Sequence, residues 1–232
     1  MSQQDDVDFL GHTQLFGGLA PAALWAVAAV ATPRLVRAGQ AVFLQGGEPT
    51  HLHLMAKGWV KIGQVTGNGA PLTIRVMEPG DVPGCVAVFR RIPYPATATA
   101  IVDSRLLAWS WARASELLER HPRIAANAVE VVGIHTEEML HRMQEFATGA
   151  VEHRIARTLL RLSAQAGRRV GAGVEIDFPL SRQDIAEMVG STLYTVSRTL
   201  REWERQGLIV SGRQRVVVRD PARLGEISAG NR

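Results

Sequence analysis

"GSTLYTVSRTLREWERQGLI", running from Gly190 to Ile209, decides how this chain is read. With Val196 at zero on a helical wheel, Leu200 and Trp203 fall within about 40° of it, while Tyr194, Arg198 and Arg201 fall between about 140° and 200°. One face is apolar, and the opposite face is polar and carries arginine. Just upstream, "SRQDIAEMVG" starts with Ser181, which can cap a helix together with Asp184 three residues on; Ile185, Met188 and Val189 line its inner side. Gly190 ends that helix. Downstream, "GLIVSGRQRVVVRD" reads as a two-stranded hairpin whose tip, Gly212 to Arg215, holds Arg213 and Arg215. Helix, glycine turn, second helix and hairpin together make a winged helix-turn-helix, which places its second helix in the major groove of DNA. Tyr194, near the front of that second helix, is the residue that does not fit the usual polar pattern.

Charge supports nucleic acid as the partner. The net charge is only +4, but from Ala150 onward there are fourteen Arg against nine Asp/Glu. The planar fork of arginine suits phosphates and guanine edges. A solvated basic surface is the plainer meaning of the same excess. The single cysteine, Cys85, excludes an intramolecular disulfide, and two copies in a dimer are too few for a four-cysteine iron–sulfur cluster. "PAALWAVAAVA", Pro21 to Ala31, stops well short of the ~20 apolar residues of a membrane span and reads as a short core helix. A cytoplasmic protein without a membrane partner is expected.

The 232 residues suggest two domains. From about Arg34 to Trp111, "AVFLQ", "HLHLMAKGWVKIGQV", "PLTIRVM" and "ATATAIVDSRLLAWS" are short β-rich stretches between Gly and Pro clusters, as in a small barrel or roll. "TGNGAP", Thr66 to Pro71, is the expected hairpin turn. Beyond Pro122 a long helix follows, with Ala125, Ala128, Val132, His135, Met139 and Phe146 at approximate 3,4 spacing. So narrow a stripe suits two copies of the helix packed together, with Ala128, Val132, His135 and Met139 in the seam. Packing on its own domain is the alternative. Gly149 then reads as a hinge. The expected division is a β-roll sensor at 1–115, a dimerisation helix at 116–147 and a winged helix-turn-helix at 148–232, an α+β fold.

Over roughly Phe9 to Asp220 the chain resembles the cAMP receptor protein/FNR (Crp/Fnr) family of bacterial transcription regulators. "LSRQDIAEMVGST" and "TVSRTLREWERQGLI" carry the resemblance; "GEPTHLHLMAKGWVKI" and "PGDVPGCVAVF" match in shape. The resemblance implies a homodimer on a two-fold operator, with RNA polymerase as a further partner, and effector binding in the β-roll that rearranges the long helices. The family's base-reading positions correspond to Leu193, Tyr194, Ser197 and Arg198. Many members carry a glutamate where Tyr194 stands, accepting from a cytosine amino group. The full DNA-facing set expected is Ser181, Gln183, Thr192, Leu193, Tyr194, Thr195, Ser197, Arg198, Arg201, Arg213 and Arg215.

The sensor departs from the nucleotide-binding members. Their Gly-Glu pair after "PGD" corresponds to Gly84-Cys85, and their Arg-Ser pair to Pro95-Ala96, so no arginine remains for a cyclic phosphate and no carboxylate for the ribose. The adenine-contacting hydroxyl positions correspond to Met139 and Leu140. cAMP binding is therefore expected to be lost, and Cys85, Met139 and Leu140 mark a pocket for another effector. "PYPATATA" is loosely similar to the branch containing haem-dependent nitric oxide sensors. His51 and His53 alternate on one strand, His135 and His141 lie on the long helix, and these or Cys85 could ligate haem iron. Cys85 as a redox switch, or as a small buried hydrophobe, stands beside that. A structural or interaction module on the same fold is the competing class. An enzyme is not expected, for the sequence shows no Gly-rich phosphate loop, catalytic carboxylate pair or metal-ligand spacing.

Overall fold

Pro122 divides what the sequence presents as one helical stretch after Ser115. The computed structural model describes residues 2–67, 69–171 and 173–230, in two compact units. One unit takes in the chain up to Gln64 and Arg75–Met139; the other takes in Val65–Ile74 and the chain from Leu140 onward.

The first unit opens with α1 (Gln3–Gly11) and α2 (Pro21–Ala29). Neither α1 nor its capping box, in which the Ser2 amide donates to Asp5 Oδ2 at 2.6 Å, was expected from the sequence. The strands follow: β1 (Thr32–Val36), β2 (Ala41–Phe43), β3 (His51–Lys57), β4 (Val60–Val65) and β5 (Pro71–Met77), with the end of β4 at Val65 and the start of β5 up to Ile74 counted in the second unit. After α3 (Cys85–Arg90) come β6 (Thr97–Ala100) and β7 (Ser104–Ser110). They form two sheets, ordered β1-β7-β3 and β2-β6-β4-β5. At the β4–β5 turn the Thr66 amide donates to Ala70 O at 2.9 Å, while Asn68 lies outside the described residues.

Strand alternation builds two cores. Leu52, Leu54, Leu107 and Trp109 pack with Leu10, Leu15, Phe16, Ile124 and Val131. Met55 and Leu106 point the other way, onto Val36, Val60, Met77, Ala98 and Ala100. Two polar ties close the layer beneath the helices. Trp109 Nε1 donates to Val27 O at 2.9 Å, and Arg105 forks onto both Asp6 carboxylate oxygens at 2.7 Å.

Helix α4 runs from Trp111 to Arg120, starting five residues before the expected boundary at Glu116. His121 leaves helical geometry at φ −129°, ψ 80°, and α5 (Pro122–Thr148) restarts at the proline. Proline disfavours a helical residue before it and suits a first helical position, so the break is local chemistry.

In the second unit α6 (Val151–Gln165) leads to β8 (Gly167–Val170) and β9 (Gly173–Ile176). The polar stretch "AGRRVGAG" contributes β8, which pairs with β9. Then come α7 (Arg182–Val189), α8 (Leu193–Arg205), β10 (Ile209–Gly212), β11 (Arg215–Val218) and α9 (Pro221–Ala229). The strands form one sheet in the order β10-β11-β9-β8.

Candidate nucleic-acid interface

Two caps and one glycine build the helix-turn-helix. Ser181 opens α7 in a capping box: its Oγ accepts from the Asp184 amide at 3.1 Å, and Asp184 Oδ2 accepts from the Ser181 amide at 3.0 Å. Gly190 closes α7 in the left-handed region at φ 58°, ψ 50°. Thr192 then caps α8, its Oγ1 accepting from the Thr195 amide at 3.2 Å and lying 3.0 Å from the Thr195 hydroxyl. The hydroxyls of Ser181, Thr192 and Thr195, expected to face DNA, are therefore engaged in forming the helix ends, because each helix start leaves backbone N–H groups that need an acceptor.

Helix α8 buries Val196, Leu200 and Trp203. Trp203 Nε1 donates to Glu152 Oε1 on α6 at 3.3 Å, which fixes the roll of α8 about its axis. The opposite face is open: Leu193 is 49% and Tyr194 75% exposed, with Arg198 and Arg201 exposed and Ser197 half-buried. Gln183 on α7 is exposed, its Nε2 3.3 Å from Glu187 Oε1. Arg182 donates to Ser211 Oγ at 3.0 Å and lies 3.7 Å from Glu204, joining α7, α8 and the wing.

The wing tip differs from expectation. Arg213 is exposed, but Arg215 forks onto Glu175 of β9, with Nε to Oε1 at 2.8 Å and Nη2 to Oε2 at 3.0 Å. That fork holds the Glu175 carboxyl below its usual range. Arg215 thus leaves the set of free phosphate ligands, because the sheet brings β9 beside β11 and supplies a carboxylate no local pattern reveals. Among the described residues, Arg198, Arg201 and Arg213 form no ion pair.

The expected sensor residues lie in unlike settings. Cys85 is buried in the apolar core, where burial pushes its thiol up to about 11, which suits an inert hydrophobe and not a thiolate switch. Met139 and Leu140 are exposed on α5. Gly84 sits at φ 74°, and a Cβ there would lie 2.6 Å from the Tyr94 ring, so this turn is packed by Tyr94 and Phe43, stacked at 3.8 Å. Arg75, which the sequence did not single out, pairs with Asp81 at 3.2 Å and Glu138 at 2.9 Å.

His51 and His53 share a side of β3, their rings 6.1 Å apart, but His51 is exposed and His53 buried. His53 Nε2 lies 3.1 Å from Arg34 Nη1; burial first, then the Arg34 charge, push its pKa down to about 3. Burial and the Arg75 charge lower His135 to about 4. An open apolar hollow of about 370 Å³ is lined by Phe89, Trp111, Leu118, Ala125, Ala128, Val129 and Val132. No histidine or cysteine borders it, and no group of three His, Cys, Asp or Glu that could hold a metal ion exists among the described residues. The lining of that hollow therefore offers no histidine or cysteine to ligate haem iron.

A winged helix-turn-helix presenting exposed arginines, carried behind a β-roll domain, defines a DNA-binding regulator architecture. The chain matches the Crp-like helix-turn-helix domain over residues 153–227 and the cyclic nucleotide-binding domain over residues 33–121. It is 24% identical over 217 residues, 94% of this chain and 97% of the relative, to the CRP-like cAMP-activated global transcriptional regulator of Mycobacterium tuberculosis. To the cyclic AMP receptor protein of Thermus thermophilus it is 28% identical over 216 residues, 93% of this chain and 97% of the relative. A solved transcriptional regulator of the CRP family, also from Thermus thermophilus, superposes with a TM-score of 0.72 at 26% identity, over 84% of this chain and 96% of that one. The chain thus carries the two domains of Crp/Fnr-type transcription regulators, a Crp-like helix-turn-helix domain and a cyclic nucleotide-binding domain, and the relatives it matches are DNA-binding regulators, not enzymes. Among the described residues no helix is long and apolar enough to cross a membrane.

Proposed function

We propose that this chain is a homodimeric, sequence-specific transcription regulator that reads a two-fold operator with α8 under the control of a signal other than cAMP. RNA polymerase is then its partner at the promoter. The observation that carries the reading of DNA is the exposed row of Tyr194, Arg198 and Arg201 on a helix whose other face is locked in the core. Arg198 can contact guanine in bidentate fashion, worth roughly 1–3 kcal/mol of discrimination. Tyr194 offers a ring for a thymine methyl and a hydroxyl for a phosphate or base edge, and cannot accept from cytosine as a carboxylate does. Selection of sites from random DNA should yield an inverted repeat with guanine kept in each half-site, and Tyr194→Glu should move the preference at one base pair toward cytosine. The same half-site from both proteins would remove Tyr194 as a base reader. No selected sequence from the wild type would favour the interaction-module alternative.

The dimer is supported by a second stripe on α5. The expected seam residues Ala128 and His135 turn inward: Ala128 is 6% exposed, packed with Ile124 and Val131 on the chain's own core, and His135 is half-buried beside Arg75. An α-helix carrying two apolar stripes buries one on its own domain. The other here runs Ala125, Val129, Val132, Thr136, Met139 and Met143, at alternating spacings of four and three, with Val129 74% and Met143 62% exposed. That spacing suits a parallel two-helix seam.

The absence of a phosphate-binding arginine at Pro95-Ala96, and of a carboxylate at Gly84-Cys85, supports a signal other than cAMP. Calorimetric titration with cAMP at millimolar concentration should release no binding heat; a saturable isotherm would show that another residue, Arg75 first, takes the phosphate.

A further inference from the structure

The C-terminal end of α7 is held by two arginines from helices outside the helix-turn-helix. The last carbonyls of a helix have no intrahelical partner, and a cation there is favoured by the helix dipole. The Gly190 amide donates back to Ala186 O within α7. Arg154 of α6 donates through Nε to Val189 O at 3.0 Å and through Nη1 to Gly149 O at 2.7 Å. Arg142 of α5 donates through Nη2 to Met188 O at 3.0 Å.

Arg142 also grips a second element. The same Nη2 reaches Thr73 O of β5 at 3.3 Å, and Nη1 donates to Ile74 O. Beside it, the Thr73 hydroxyl donates to Glu187 Oε2 on α7 at 3.5 Å. Strand β5 and the last turn of α7 are thus joined through one guanidinium, and that turn leads through Gly190 directly into α8. The next residue of β5, Arg75, pairs within the first unit with Asp81 and with Glu138, one helical turn before Arg142 on α5. The planar fork is what permits this; a lysine ammonium is a point charge and cannot span three carbonyls in the same way.

We propose that Arg142 is a positioning residue for DNA recognition, tying the end of α7 to β5 so that the placement of the reading helix follows the placement of that strand. This rests on the DNA-reading function proposed above. Arg142 itself touches no base or phosphate in this scheme.

The test compares wild type, Arg142→Gln, Arg142→Lys and Arg213→Ala on the site that the wild type selects. Affinity is measured at several salt concentrations, the active fraction by stoichiometric titration, and unfolding by temperature. Arg142→Gln should weaken specific binding roughly 2- to 30-fold, the range for residues that carry coupling without touching ligand. Its salt dependence should match the wild type, whereas Arg213→Ala should lower the slope by about one phosphate contact. Arg142→Lys should recover part of the loss, and it carries the test if the glutamine variant does not fold. Two results would overturn the proposal: wild-type affinity in the active fraction of Arg142→Gln, which leaves only a structural role, or a reduced salt slope, which makes Arg142 a phosphate ligand. A wild type that selects no sequence removes this proposal together with the DNA-reading function, while a selective wild type with an indifferent Arg142→Gln removes this proposal alone.

Discussion

Gly190→Ala is expected to destabilise the second unit by about 2–5 kcal/mol and to abolish specific DNA binding. Two independent costs add. An L-residue in the left-handed region costs roughly 1–2 kcal/mol, and Gly190 sits at φ 58°. A Cβ at Gly190 would also lie 2.9 Å from the edge of the Phe146 ring, and overpacking of that kind costs roughly 1–3 kcal/mol. Phe146 is 38% exposed, and moving its ring aside would give up the Arg154 guanidinium that lies over it at 5.3 Å while bonding Val189 O and Gly149 O. Thermal unfolding should separate the two costs: Gly190→Ala combined with Phe146→Ala should lose less than the two single changes summed, since the clash exists only when both side chains are present. Additive losses would show that the ring gives way freely. An unfolding temperature equal to wild type for Gly190→Ala would sink the account of the turn.

Val129→Glu and Met143→Glu are each expected to convert the dimer to folded monomers. Both side chains are exposed within the single chain, so the substitutions leave its own core intact. In a parallel seam each would face its own copy, burying two carboxylates without partners at a cost on the order of 3–5 kcal/mol. A monomer meets one half-site at a time, and losing the second, linked half-site should weaken operator binding by roughly 10²- to 10⁴-fold. Light scattering reads the mass and circular dichroism the fold. Dimer mass in both variants would defeat the seam. Ala128→Glu is the contrasting change: it places a carboxylate in the core with Ile124 and Val131 and should unfold the first unit before it separates subunits.

Much of the interface was legible because its causes are local. The 3.6-residue period placed Val196, Leu200 and Trp203 on one face, and burial agrees. Ser181 with Asp184, and Gly190 after Val189, mark helix ends by short-range hydrogen bonding, and both ends stand where the pattern put them. The β-rich stretches from "AVFLQ" to "RLLAWS" and the wing hairpin were visible through alternation and turn residues. Helix α3, a single short turn around Cys85, left no period long enough to detect.

Partner choice was not legible. Arg213 and Arg215 look alike in the sequence, yet Arg215 alone meets Glu175, forty residues away along the chain, because β11 lies beside β9. Ala128 and Val129 are adjacent apolar residues, and only the docking of α5 on the first core decides that Ala128 is buried and Val129 left free. Arg142 reads as one more helix-surface charge until Thr73, Ile74 and Met188 present their carbonyls to it. Helix period, capping and strand alternation act within a few residues and so are written in the sequence alone. The pairing of a long cation, or the selection of one apolar stripe from two, depends on which distant backbone arrives beside it, and tertiary packing decided those.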